Sequence, residues 1–232
     1  MQTIGLIGGM SWESTAEYYR LINERVKERL GGLHSAKIIL YSVDFAEVED
    51  LQRRGAWAQA TRLMIEAGRR AKAGGADFVV ICTNTMHRMA DEVERQANLP
   101  VLHIADATAD AIAREEVGVV GLLGTRYTME QGFFRGRLET QYGLEVVVPN
   151  EEDRGFVHEV IYGELCLGLT RSASRLRYLE IIDELTERGA EAVILGCTEI
   201  GFLIGPEDTD TLLFDTTVIH AQAAADRAVE GG

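Results

Sequence analysis

The chain has 232 residues, enough for one large α/β domain or two small ones with a sizeable core, which excludes a peptide or a disulfide-stapled scaffold. Lys and Arg together number 23 against 37 Asp and Glu, a formal charge of −14, and so acidic a surface repels phosphate; no nucleic-acid or membrane partner is expected. With 46% apolar residues, 26% charged residues and only 3 prolines, the whole chain is expected to fold.

Residues 1–9 run straight into an apolar, β-branched segment with no basic region ahead of it, and no apolar run approaches the roughly 18 residues of a membrane span. A soluble, cytoplasmic protein is expected. In chain order, short apolar runs predict strands over residues 3–7, 37–43, 77–82, 100–104, 117–123, 144–148, 192–196 and 212–214. Between them, apolar spacings of three and four predict helices over 13–30, 56–73, 86–97 and 172–188. Strands alternating with helices indicate parallel sheets joined by helical crossovers.

The two halves resemble each other. Gly5-Leu-Ile-Gly8 recurs as Gly121-Leu-Leu-Gly124, and Phe78-Val-Val-Ile-Cys-Thr-Asn-Thr85 corresponds to Ala192-Val-Ile-Leu-Gly-Cys-Thr-Glu199. The expected fold is therefore α/β with two pseudo-symmetric lobes, each a mostly parallel sheet flanked by helices, and the active site in the cleft between them. Residues 212–214 and the helix after them have no evident counterpart at the end of the first half. They are placed with the first lobe, giving 1–104 plus 212–232 for that lobe and 105–211 for the second.

In open parallel sheets ligands bind beyond the carboxyl ends of the strands. Four such places stand out: Gly8-Gly-Met10-Ser11, Cys82-Thr83-Asn84-Thr85, Gly124-Thr125-Arg126 and Gly196-Cys197-Thr198-Glu199. Small and hydrogen-bonding residues at helix N-termini favour a carboxylate, so an acidic small molecule is the expected ligand. Cys197 follows its strand, where a helix N-terminus would lower its pKa and make it a catalytic thiol; burial as a small hydrophobe is the bland alternative. Cys82 continues the apolar strand and reads as structural, and Cys166 as a helix-packing thiol.

Three widely spaced cysteines with no CxxC pair and no histidine at zinc-finger distance predict free thiols and no metal site. A dinucleotide site fails as well, because GxGxxG is absent and Asp44 lies about 39 residues beyond Gly5 rather than about 20. His87 reads equally as an acid or base and as a hydrogen-bonded structural imidazole, whereas His34, His103, His158 and His220 read as structural. The Gln52 to Arg54 run is either a solvated helix face or a reach toward a second substrate carboxylate.

The strings Gly8-Gly-Met10-Ser-Trp-Glu-Ser-Thr15, Cys82-Thr-Asn-Thr-Met-His87, Gly124-Thr125 and Gly196-Cys-Thr-Glu199 resemble the aspartate/glutamate racemase family over essentially the whole chain, and within it the YgeA-type amino-acid racemases. The resemblance implies two residues exchanging a proton on opposite faces of the substrate Cα, no pyridoxal phosphate or other cofactor, and a homodimer. It makes Cys197 the catalytic thiol for the L enantiomer and puts Thr83 where most of the family has cysteine. It further implies that Asn84, Thr85 and Thr198 hold the α-carboxylate, that Met10, Gln52 and Thr125 line the pocket, and that Glu199 completes the substrate-binding set. The expected substrates are aspartate, glutamate or similar amino acids. The rival readings are a single-thiol decarboxylase or isomerase on the same scaffold and a non-catalytic amino-acid binding module. A cysteine hydrolase is disfavoured because no base for Cys197 is identifiable.

Overall fold

In the computed structural model, which describes residues 1–231, the first sheet begins with β1 (Thr3–Gly8), followed by α1 (Trp12–Leu30) and β2 (Lys37–Ser42). Next come α2 (Phe45–Arg53), α3 (Trp57–Ala73) and β3 (Phe78–Ile81). A 3-10 turn over Thr85–Met89 runs into α4 (Ala90–Ala97), and β4 (Val101–Leu102) closes the sheet. The strand order is β2-β1-β3-β4, all parallel.

The period of two along the strands builds a core on each face. Ile4 and Leu6 of β1, with Phe78, Val80 and Cys82, pack against Tyr18, Ile22 and Val26 of α1. Ile7, Val79 and Ile81 face the other way, toward Ala60, Met64 and Ala67 of α3 and Val93 of α4. The three- and four-residue spacing of the buried positions on α1 makes that helix amphipathic, and its Ser11 cap accepts from the Ser14 amide.

The second sheet repeats the first. After α5 (Ile104–Ala113) come β5 (Val119–Gly124), α6 (Arg126–Glu130), α7 (Arg135–Tyr142), β6 (Glu145–Val147) and α8 (Glu151–Gly163). Then follow α9 (Ser172–Glu187), β7 (Ala192–Gly196) and β8 (Leu212–Asp215). The order β6-β5-β7-β8 is again parallel throughout. Ile4 pairs with Phe78 in one sheet and Val120 with Ala192 in the other, so Thr83 and Cys197, each five residues further on, fall at equivalent positions. A carboxylate ahead of the third strand fastens the start of the first in both: Asp77 accepts from the Thr3 amide at 2.6 Å, and Glu191 from the Gly118 and Val119 amides at 2.7 and 2.9 Å. Those two amides hold the Glu191 carboxyl below its ordinary pKa.

The chain divides into two units, one made of Met1–Ile104 with the segment from His220 on, the other of Ala105–Ile219. This corrects the placement of residues 212–219. β8 pairs with β7 from Ala192–Leu212 to Leu195–Asp215, so it is the fourth strand of the second sheet. Its counterpart in the first sheet is β4, whose two residues are too few for the match to stand out in sequence. The helix that follows, α10 (Thr216–Glu230), starts in the second unit and belongs to the first from His220 on, where Ala221, Ala224, Ala225 and Ala228 join the α1 side of the core.

Candidate active site

At the carboxyl end of the first sheet, β1 turns into α1 through Gly9, whose φ of 90° belongs to the left-handed region. A Cβ there would run into the Val43 carbonyl oxygen, so glycine is required. Thr15 Oγ1 accepts from the Gly9 amide at 2.8 Å and donates to the Ser11 carbonyl at 2.7 Å, which ties the turn to the helix it opens. Met10 is buried in the same core cluster as Met86.

The β3 end carries Thr83, Asn84 and Thr85, the first half-buried and the other two buried. The turn is anchored from two sides. Gln52 Nε2 of α2 donates to the Met86 sulfur at 3.3 Å, which brings Gln52 and the Thr83–Met86 turn together, and His87 Nδ1 lies 2.8 Å from the Thr83 carbonyl oxygen. Arg53 and Arg54 do not join them. Both are exposed and pair with Glu49 and Asp50 on their own helix, which is the solvated-face reading.

At the carboxyl end of the second sheet, Gly124 and Gly196 allow β5 and β7 to approach closely: a Cβ on Gly124 would stand 2.7 Å from the Gly196 carbonyl oxygen. Thr125 caps α6, its Oγ1 accepting from the Thr128 amide at 3.3 Å. Beyond β7, Cys197, Thr198 and Glu199 are all buried, and one carboxylate oxygen gathers the other two side chains. The Cys197 thiol donates to Glu199 Oε2 at 3.0 Å and the Thr198 hydroxyl donates to the same oxygen at 2.8 Å.

That arrangement corrects three expectations. No long helix follows Cys197, only a 3-10 turn over Ile200–Phe202, so a helix dipole does not lower its pKa. Burial, with the Glu199 charge second, pushes the thiol well above its ordinary value. Third, a carboxylate that accepts a hydrogen bond from the thiol does exist. It was missed because a residue two positions along the chain reads as part of the ligand-binding string, and only the backbone path after β7 shows that it turns back onto the sulfur. Helix N-termini are likewise a smaller resource than expected: of the four strand ends, only β1 leads at once into a long α-helix.

Tyr162 is a further neighbour, one that carries no motif or strand-end signal in sequence. Burial pushes its hydroxyl up, with the nearby Cys197 and Cys166 adding to the effect. Cys166 itself lies half-buried in a 3-10 turn just past α8 rather than within a helix. Cys82 lies fully buried in the core, its pKa raised by burial alone. Among the described residues, no group of three His, Cys, Asp or Glu side chains is placed to hold a metal ion.

Residues 7–224 match the Asp/Glu/Hydantoin racemase family. The chain belongs to that family. A crystal structure of a Yersinia pestis protein assigned to the Asp/Glu racemases is 55% identical, with a TM-score of 0.91, over 99% of this chain and 100% of that one. An aspartate racemase homologue from Pyrococcus horikoshii is 34% identical, with a TM-score of 0.83 and the same coverage. A glutamate racemase from Methylococcus capsulatus is 33% identical over 61% of this chain, and the match spans 51% of that relative's length. Family membership accounts for the repeated sheet. No helix of the described residues is long and apolar enough to cross a membrane.

Proposed function

We propose that this protein is a cofactor-independent racemase of L-aspartate, L-glutamate or a similar amino acid, with Cys197 and Thr83 serving opposite faces of the substrate Cα. The observation that carries the reading is the Cys197–Glu199 pair, a buried thiol with its proton acceptor in place at the end of β7. Thr83 occupies the equivalent position beyond β3, which is what a duplicated unit with one active group per copy would produce.

Removing an α-proton without a cofactor needs a base at Cα and stabilisation of the charge that moves onto the carboxylate. In this reading the thiol proton passes to Glu199 Oε2, the thiolate sulfur takes the α-proton, and the electron pair of the broken C–H bond delocalises into the carboxylate. Asn84 and Thr85 supply side-chain hydrogen bonds to that carboxylate, Thr198 offers its backbone N–H because its hydroxyl is committed to Glu199, and Met10, Gln52 and Thr125 line the remainder of the pocket. Thr83, or a water it positions, returns a proton to the other face. The hydroxyl is a weak base, so the step it starts is the slower one. A homodimer is the expected assembly, tested by light scattering.

The test is proton NMR of L- and D-aspartate and L- and D-glutamate in deuterium oxide with purified protein and no added cofactor. Loss of the α-proton signal supports the proposal. Binding without loss of that signal would leave an amino-acid binding module, and carbon dioxide release from a malonate would indicate a decarboxylase.

A further inference from the structure

The Thr83 turn rests on buried imidazoles that the proposed chemistry does not use. His87 is 2% exposed, its Nδ1 2.8 Å from the Thr83 carbonyl oxygen. A carbonyl can only accept, so Nδ1 carries the hydrogen and donates. The His87 ring meets His103 edge-on, with centroids 4.8 Å apart, and His220 at 5.5 Å. His220 is fully buried and held at both nitrogens: Nε2 donates to the Leu102 carbonyl at 2.8 Å, leaving Nδ1 to accept from the Tyr18 hydroxyl at 2.8 Å. His87 and His220 are thereby fixed as opposite tautomers.

We infer that His87 is a positioning residue for Thr83, setting the orientation of that residue's peptide through the Nδ1–H bond, with His103 and His220 fixing the plane of its ring. Three residues converge on a five-residue stretch, Thr83 to His87: Gln52 on the Met86 sulfur, and His103 and His220 on His87. The His87 Nδ1–H bond ties the Thr83 carbonyl to this assembly. A rotated Thr83 peptide would redirect the hydroxyl and shift Asn84 and Thr85 with it. Cys197 is in a different structural unit and keeps its own partner, Glu199. The loss is therefore larger on the Thr83 face than on the Cys197 face, which feels only the shift of Asn84 and Thr85.

This inference rests on the racemase reading, and its test separates the two. His87→Leu removes the donor, and His87→Asn places an amide N–H where Nδ1–H was. α-Proton exchange from D-glutamate, the Thr83 face, should fall between about tenfold and a hundredfold in His87→Leu. Exchange from L-glutamate, the Cys197 face, should change several-fold less, and His87→Asn should recover most of the loss. Equal loss on both faces in step with a lowered melting temperature, or no recovery in His87→Asn, would overturn it. Nitrogen-15 NMR of histidine-labelled wild type should show His87 as the Nδ1–H tautomer and His220 as Nε2–H. The same tautomer at both would also overturn it. Should the wild type exchange neither enantiomer, the racemase reading fails. The positioning inference is then decided by those tautomers and by L-glutamate affinity, expected to weaken in His87→Leu and recover in His87→Asn.

Discussion

The sulfur of Cys197 stands 3.0 Å from Glu199 Oε2, and the Thr198 hydroxyl donates to the same oxygen. Glu199→Gln keeps the shape and leaves a carbonyl that Thr198 can still bond, but it removes the proton acceptor. Exchange from L-glutamate should fall by about 10²–10⁴-fold, the usual contribution of a general base, with the melting temperature nearly unchanged. The thiol itself should become more acidic, because the second cause of its raised pKa is the Glu199 charge. Alkylation by iodoacetamide should then begin at a lower pH in Glu199→Gln than in the wild type. An unchanged alkylation profile would remove Glu199 from the proton path.

The three thiols should separate cleanly. Cys197→Ser is expected to abolish exchange, whereas Cys82→Ser and Cys166→Ser retain most of it, since neither follows a strand at the sheet's carboxyl end in contact with a carboxylate. Cys82→Ser buries a hydroxyl among Ile4, Leu6 and Phe78 and should lower the melting temperature by an amount corresponding to about 1–3 kcal/mol. Equal loss of activity in all three variants would point to unfolding rather than chemistry.

All eight strands were legible because each is a short apolar run with small or polar residues at its ends, and the duplicated strings around Gly8 and Gly124 forecast two similar sheets. The segment after residue 211 was not legible. Whether Leu212–Asp215 pairs with β4 or β7 depends on sheet order, which local periodicity does not encode, and the β4 match is only two residues long. The strand-end placement of the candidate site residues was legible. The Cys197–Glu199 contact was not, because a dipole argument presumes a helix, and the sequence after Cys197 forms only a 3-10 turn. Short polar segments of that kind carry no period from which to tell the two apart.

Gly9→Ala should destabilise the protein and disturb the Met10 turn. At a φ of 90° an alanine is strained, and its Cβ would also crowd Ser42 Oγ at 2.7 Å. The expected cost is about 1–3 kcal/mol, read by chemical denaturation. Wild-type stability in the variant would mean that the β1–α1 turn relaxes easily.

Stability should fall as the pH drops below 6.5, with His220 as a principal cause. Burial first, and the neighbouring His87 second, depress its pKa from 6.5 to about 3. A depressed histidine is neutral in the fold but takes up a proton when unfolded, so its contribution is complete above 6.5 and is lost progressively down to about 3. The titratable groups that contact it are Tyr18 and His87. His220→Gln, which keeps a donor for the Leu102 carbonyl, should lower stability at pH 7.5 and flatten the slope of melting temperature against pH between 6.5 and 4. Parallel slopes in wild type and variant would assign the acid sensitivity to other groups.

The last prediction concerns the asymmetry between Thr83 and Cys197. With a thiolate on one face and a hydroxyl on the other, the protein should wash the α-proton out of L-aspartate or L-glutamate faster than out of the D forms, and faster than it racemises either. Thermodynamics sets a limit. The enantiomers have equal free energy in water, so kcat/KM for complete racemisation must be equal in the two directions, and a one-way racemase cannot exist. Thr83→Cys supplies a second thiol beyond β3, and because the sulfur is a far better base than the hydroxyl, D-side exchange and racemisation should both rise. L-glutamate affinity should change little, since Asn84 and Thr85 are untouched and His87 bonds the backbone of residue 83 rather than its side chain. Exchange by NMR and optical rotation, followed for both enantiomers in wild type and Thr83→Cys, provide the comparison. Equal exchange of D and L substrate by the wild type, or no gain from the added thiol, would show that Thr83 is not the weaker half of a proton-transferring pair.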